Sequence, residues 1–232
     1  MLLAVLLGVL LPFVPVVGRV ARIATTIVHE VGHCVVVVPF GGRIRRIDLH
    51  PDGSGEAWVE LSRVPVGIRW AVRLLNLYAG YSAPLWAGVL LIAGTLGGDR
   101  LLTTVVLGAV GLIALLIVRN AFGLIVVIGF DVLAAWVALR PSDVSVLVVA
   151  TVGALFIADG VRSILRVGVW IATGSHVRTD FHIAAAEFRL PAALWYMLFL
   201  VVTAGSTWLA RGPLTEVGLT VLAGVRQLLP IG

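Results

Sequence analysis

The stretch Ile23-Ala24-Thr25-Thr26-Ile27-Val28-His29-Glu30-Val31-Gly32-His33-Cys34-Val35-Val36-Val37-Val38 decides the class of this chain. It is apolar except for Thr25, Thr26 and the pentad His29-Glu30-Val31-Gly32-His33, a complete HExxH. On a helix His29 and His33 stand one turn apart on the same face, so both imidazoles can reach a single metal ion. Glu30 lies beside that face, where it can take a proton from a water held there. Ionisable groups at membrane depth are costly and mark function where they occur. A purely structural cluster of two imidazoles and a carboxylate would carry that cost with nothing to offset it.

The composition is that of a chain made for lipid. Of 232 residues, 60% are hydrophobic and 12% charged, and the mean hydropathy is +1.09. Soluble domains average about 45–50% apolar and about 25% charged residues. The chain reads as a polytopic membrane protein embedded in the lipid bilayer. All 17 basic residues are arginine. They are spread through the connections and not clustered, which argues against nucleic acid as a partner. The net charge of +5 suits anionic lipid headgroups. The single cysteine, Cys34, permits no internal disulfide and reads as a small buried apolar residue.

Apolar runs of roughly 20 residues place spans at 1–17, 20–38, 70–96, 101–118, 121–139, 144–167 and 191–210. The first lacks a basic leading region and a small-residue cleavage site. It reads as a retained span kinked at Pro12 and Pro15, not as a signal peptide. The third is long enough to tilt or bend at Gly80 and Pro84. The expectation is an all-α polytopic membrane protein of about seven transmembrane helices. One membrane-embedded domain covers 1–210, and an interfacial tail covers 211–232. The connections 39–69, 119–120 and 168–190 share one side and carry the larger share of the arginines, which puts that side in the cytoplasm of a multi-pass cell-membrane protein. No internal repeat is evident, and the spans carry only scattered carboxylates such as Asp131 and Asp159. Both facts argue against a transporter or channel.

The segment after the metal-motif helix has its own pattern. Gly41-Gly42 ends the helix. Arg43-Ile44-Arg45-Arg46-Ile47-Asp48-Leu49 then alternates roughly in twos, Pro51-Asp52-Gly53-Ser54-Gly55 is a turn, and Ala57-Trp58-Val59-Glu60-Leu61 is a second short strand. A small β-hairpin beside the metal helix is expected. It either caps the bundle or offers an edge strand to an extended substrate.

Hydrolytic zinc usually has three protein ligands and one open position, so a third ligand must come from elsewhere. His29 lies about nine residues, roughly 13 Å, from the cytoplasmic end of its span. Asp159 in the sixth span lies at a similar depth, and its Asp159-Gly160 pair resembles the Asp-Gly element of site-2 proteases. Its plainer role is an intrahelical pair with Arg162. Asp131, mid-span in the fifth helix, is a weaker candidate. Asp180 reaches the metal only if 174–190 folds back into the bundle, which is allowed where protein covers the backbone. His176 and His182 read as solvated, and His50 as a turn residue.

Taken in order, several elements resemble the M50B-like branch of site-2-type metallopeptidases, over about 23–208. They are His29-Glu30-Val31-Gly32-His33, Gly41-Gly42-Arg43, Ser54-Gly55, Ala79-Gly80-Tyr81-Ser82-Ala83-Pro84 and Arg119-Asn120-Ala121-Phe122-Gly123. In that family a Ser-Asp-Ala-type element precedes the last span. Here it reads Thr179-Asp180-Phe181, followed by Ala184-Ala185 and Pro191-Ala192-Ala193-Leu194-Trp195. The resemblance therefore ranks Asp180 ahead of Asp159, whereas depth matching favours Asp159, and both stay open. It implies a zinc-dependent intramembrane endopeptidase with Zn2+ on His29, His33 and an aspartate, although cobalt or manganese could share such ligands. Glu30 is then the base and a transmembrane protein the substrate. Asn120 is the candidate oxyanion donor by its position at the rim; its other role is a turn residue between spans. The alternative function is a catalytically inactive protease-like scaffold that binds metal or partner helices.

Overall fold

The computed structural model describes residues 2–212 together with 214, 215, 218, 219 and 223. The interfacial tail expected over 211–232 therefore lies largely outside the described residues. Helix α1 covers Leu2–Leu10, α2 Pro15–Val37, α3 Val66–Leu96, α4 Arg100–Ile117, α5 Ala121–Leu139, α6 Asp143–Ala172, α7 Asp180–Phe188 and α8 Ala192–Leu209. Strands β1, Arg43–Leu49, and β2, Gly55–Glu60, lie between α2 and α3. Six of the helices are long and apolar enough to cross a membrane, namely α2 to α6 and α8. The protein is an all-α polytopic membrane protein with a small antiparallel hairpin.

The first expected span differs from the rest. Pro12 and Pro15 break the apolar run, so 2–13 yields nine helical residues and a three-residue 3-10 turn, and α2 starts at Pro15. That helix and turn rise roughly 20 Å, short of a hydrocarbon core roughly 30 Å thick. Among the described residues the count is thus six spans and one short apolar helix, α1, which packs on α6 through Gly8.

Burial separates the centre from the periphery. Half of the most apolar window of α2, α3 and α6 is buried, against 22%, 17% and 11% for α4, α5 and α8. The central three approach closely because small residues face one another. Gly88 of α3 meets Gly153 of α6, where a Cβ on Gly88 would come within 2.5 Å of the Gly153 carbonyl, and Gly32 of α2 meets Ala79 and Ala83 of α3. Ala21, Val28, Leu91, Leu155 and Phe156 fill the space between these helices. α4 and α5 form an outer antiparallel pair. Asp131 of α5 sits there against Gly111 of α4. α7 and α8 cover α3 through Leu77, Tyr81, Phe181, Trp195 and Phe199.

Caps set the element ends. Gly41, at φ 84°, closes α2 and its 3-10 extension in the left-handed region. Asp99 accepts from the Leu102 amide at the start of α4, and Ser142 with Ser145 forms a capping box at the start of α6. The hairpin pairs Ile47 with Ala57 and Leu49 with Gly55, with a bulge between Ile44 and Arg46. His50 is an exposed turn residue, its amide donating to the Ser54 carbonyl at 2.9 Å.

Candidate metal centre

The site begins on α2. His29 and His33 lie one turn apart, and their Nε2 atoms approach to 3.0 Å. Asp180 opens α7 and folds back onto this pair, its Oδ2 standing 3.7 Å from each Nε2. One ligand atom from each of the three residues lies within 4.8 Å of the others. For tetrahedral zinc with bonds of about 2.0–2.2 Å, neighbouring ligand atoms stand roughly 3.4 Å apart. The observed separations bracket that value. The donor set of two imidazoles and one carboxylate also suits zinc, so the residues fit the ion.

Local sequence explains why Asp180 sits there. Thr179 caps α7, and its hydroxyl and the His182 Nδ1 lie 2.9 Å apart in a reciprocal capping arrangement. His182 is thereby engaged in the helix start, and His176 is exposed. The Asp180 side chain is 35% exposed, opening on a cavity.

α3 supports the histidines from behind. His33 Nδ1 lies 3.0 Å from the Asn76 carbonyl, which fixes that nitrogen as the donor and leaves Nε2 free to face the site. Asn76 Nδ2 donates in return to the His33 carbonyl at 2.9 Å. Arg73 donates to Asn76 Oδ1 at 3.3 Å and, through Nε, to Glu187 of α7 at 2.8 Å. Gly80, one turn beyond Asn76, lies against the His33 ring, and a Cβ there would overlap it.

Glu30 is 5% exposed and lies beside β2. A Cβ on Gly55 would come within 2.9 Å of the Glu30 Oε1, so the Ser54-Gly55 turn lets the strand approach the carboxylate. A cavity of about 760 Å³ joins His29, Glu30, His33 and Asp180 to the β2 residues Gly55 to Val59. The two edges of the hairpin differ. The outer edge of β1 is taken, since Ile47 bridges to Val118 and accepts from the Arg119 amide at 3.1 Å. β2 has no second neighbour among the described strands, and its residues border the cavity.

The remaining candidates lie apart from the cluster. Asn120 does not face the cavity. Its Oδ1 accepts from the Leu49 amide at 3.1 Å and its Nδ2 donates to the Leu49 carbonyl at 2.6 Å, which ties β1 to the α4–α5 turn. Both contacts are those of a turn residue between spans. Asp159 is buried and lines the same cavity from α6 but is not one of the three clustered residues. Asp131 is on the α4–α5 contact. Cys34 is fully buried among Ile27, Val31 and Ile47.

Asn76, Tyr81 and Arg73 were not singled out by the sequence as site residues. A signal existed for the first: an asparagine inside an apolar span needs a partner, and the one it finds here is His33. Comparison with known proteins agrees with the geometry. A family model described as Peptidase M50B-like matches residues 2–210. No curated protein and no solved structure matches the chain. With a histidine pair and an aspartate gathered inside a membrane bundle, and that match running over nearly its whole length, the chain belongs to the Peptidase M50B-like family.

Proposed function

We propose that this protein is a zinc-dependent intramembrane endopeptidase of the cell membrane, acting on transmembrane protein substrates. The observation that carries the reading is the convergence of His29, His33 and Asp180 beside a buried Glu30, on a cavity bordered by the free edge of β2. His29, His33 and Asp180 would hold the ion. When bound, zinc supplies a Lewis acid that acidifies water and polarises a peptide carbonyl.

The chain's own residues do the rest. Glu30 takes a proton from the attacking water and returns it to the leaving nitrogen. Asn76 keeps the His33 ring in one orientation. The edge of β2 gives an extended segment a row of backbone partners next to Glu30. A transmembrane helix hides its peptide bonds in its own hydrogen bonds, so it must unwind before cleavage, and strand pairing offsets part of that cost. Substrate selection falls to the bundle, the hairpin or a partner.

Two substitutions test the reading against a scaffold that binds metal without cutting. Glu30→Gln should retain about one zinc per chain and lose cleavage of a single-span substrate by several orders of magnitude. His29→Ala should lose both metal and cleavage. Metal analysis of purified protein, run beside cleavage assays in membranes, reads the two separately. Full proteolysis by Glu30→Gln would remove Glu30 as the base.

A further inference from the structure

One side chain in the Ala79-Gly80-Tyr81-Ser82-Ala83-Pro84 run of α3 has no part in the chemistry above. Tyr81 is 5% exposed, and its hydroxyl donates to Oδ2 of Asp180 at 3.0 Å. This is the same oxygen that stands 3.7 Å from both imidazole Nε2 atoms. The ring lies edge-on to His29, with centroids 4.6 Å apart and planes at 81°. It also stacks on Phe181, the residue after Asp180, at 5.1 Å and 25°. Tyr81 therefore touches one α2 histidine and both residues that open α7.

α7 needs such ties. It has nine residues, and a helix that short is not stable alone. Two polar contacts bind it to α3, Tyr81 to Asp180 at its start and Arg73 to Glu187 near its end. Without the first, no hydroxyl fixes the Asp180 carboxylate about its last torsion. The direction of the bond is fixed, because an ionised carboxylate only accepts and the phenol supplies the proton.

We propose that Tyr81 is a positioning residue of the metal centre. Its hydroxyl holds one oxygen of Asp180 in place and aims the carboxylate at the two imidazoles before an ion arrives. This rests on reading His29, His33 and Asp180 as the ligands. Outer hydrogen bonds of this kind are typically worth about 10–100-fold in metal affinity. The ring packing is a separate matter, and Tyr81→Phe leaves it intact.

The test is a Co2+ titration of the full-length protein in detergent, followed by the visible absorption of the bound ion. Tyr81→Phe should weaken Co2+ about tenfold or more and shift the absorption bands, with one ion still bound per chain. Asp180→Ala should weaken binding further. Adding Tyr81→Phe to Asp180→Ala should then change nothing, since the phenol has no carboxylate left to hold. 4-Aminophenylalanine at position 81 keeps a donor on the ring and should retain most of the wild-type affinity.

Three results would overturn the proposal: unchanged affinity in Tyr81→Phe, an equal loss in both backgrounds, or a 4-aminophenylalanine variant as weak as Tyr81→Phe. Failure of the ligand reading looks different. In that case the wild type binds no Co2+, or Asp180→Ala binds it as tightly as the wild type, and the role of Tyr81 falls with it.

Discussion

Gly80 and Gly55 show how little room the HExxH face leaves its neighbours. Gly80 lies against the His33 ring, and Gly55 brings β2 against the Glu30 carboxylate. Each place admits no Cβ without moving a side chain of the proposed centre. Gly80→Ala should therefore push the His33 ring away from its bond with the Asn76 carbonyl and lower zinc affinity by at least tenfold, a loss on the scale of a missing outer hydrogen bond. Equilibrium dialysis of the purified variant measures it, and wild-type affinity would mean that α3 yields at this point. His29, Glu30 and His33 were legible in the sequence because helical periodicity alone puts them together. The reasons for Gly80, Gly55 and Tyr81 were not, since each depends on a side chain from another element.

Among the elements, the hairpin is the informative case. Its strands were readable from alternation and from the Pro51-to-Gly55 turn, and β1 covers the expected 43–49. β2 begins two residues earlier than the expected 57, because Leu49 pairs with Gly55 across the turn. Its docking was not readable: Asn120, expected either as an oxyanion donor or as a turn residue, accepts from the Leu49 amide and donates to the Leu49 carbonyl. Asn120→Ala removes both bonds and leaves the Leu49 amide and carbonyl short of partners, at a cost of about 1–3 kcal/mol. The variant should keep its zinc, melt at a lower temperature and lose cleavage only severalfold as the hairpin loosens. An oxyanion donor would behave otherwise, with a drop of about 10²–10³ in turnover and an unchanged melting temperature. Thermal unfolding and turnover measured on the same preparation separate the two.

For the molecule as a whole, the proposed ion joins parts of the chain that are far apart in sequence, α2 and α7, across α3. Binding that requires the folded state stabilises it by about 2.7 kcal/mol at a hundredfold excess over Kd. For a chain of this size that is a rise of roughly 5–10 °C in Tm. Stripping the protein with a chelator and restoring zinc should show this rise in the wild type and not in His33→Ala. An equal rise in both would place the ion elsewhere. The sequence by itself determined the membrane class, the span pattern after residue 20, the hairpin and the histidine pair. All of these follow from composition and from periodicities of two or 3.6 residues, which act over neighbours in the chain. It did not determine the short first helix, where two prolines cut an apolar run, nor which aspartate joins the histidines. Depth along the helices favoured Asp159 and the resemblance at Thr179-Asp180-Phe181 ranked Asp180 ahead; Asp180 is the one brought beside the histidines, because α7 folds back and is held on α3 by Tyr81 and Arg73. The meeting itself belongs to tertiary structure, since bringing together residues more than 140 positions apart rests on the packing of helices between them, which helical depth and periodicity do not encode.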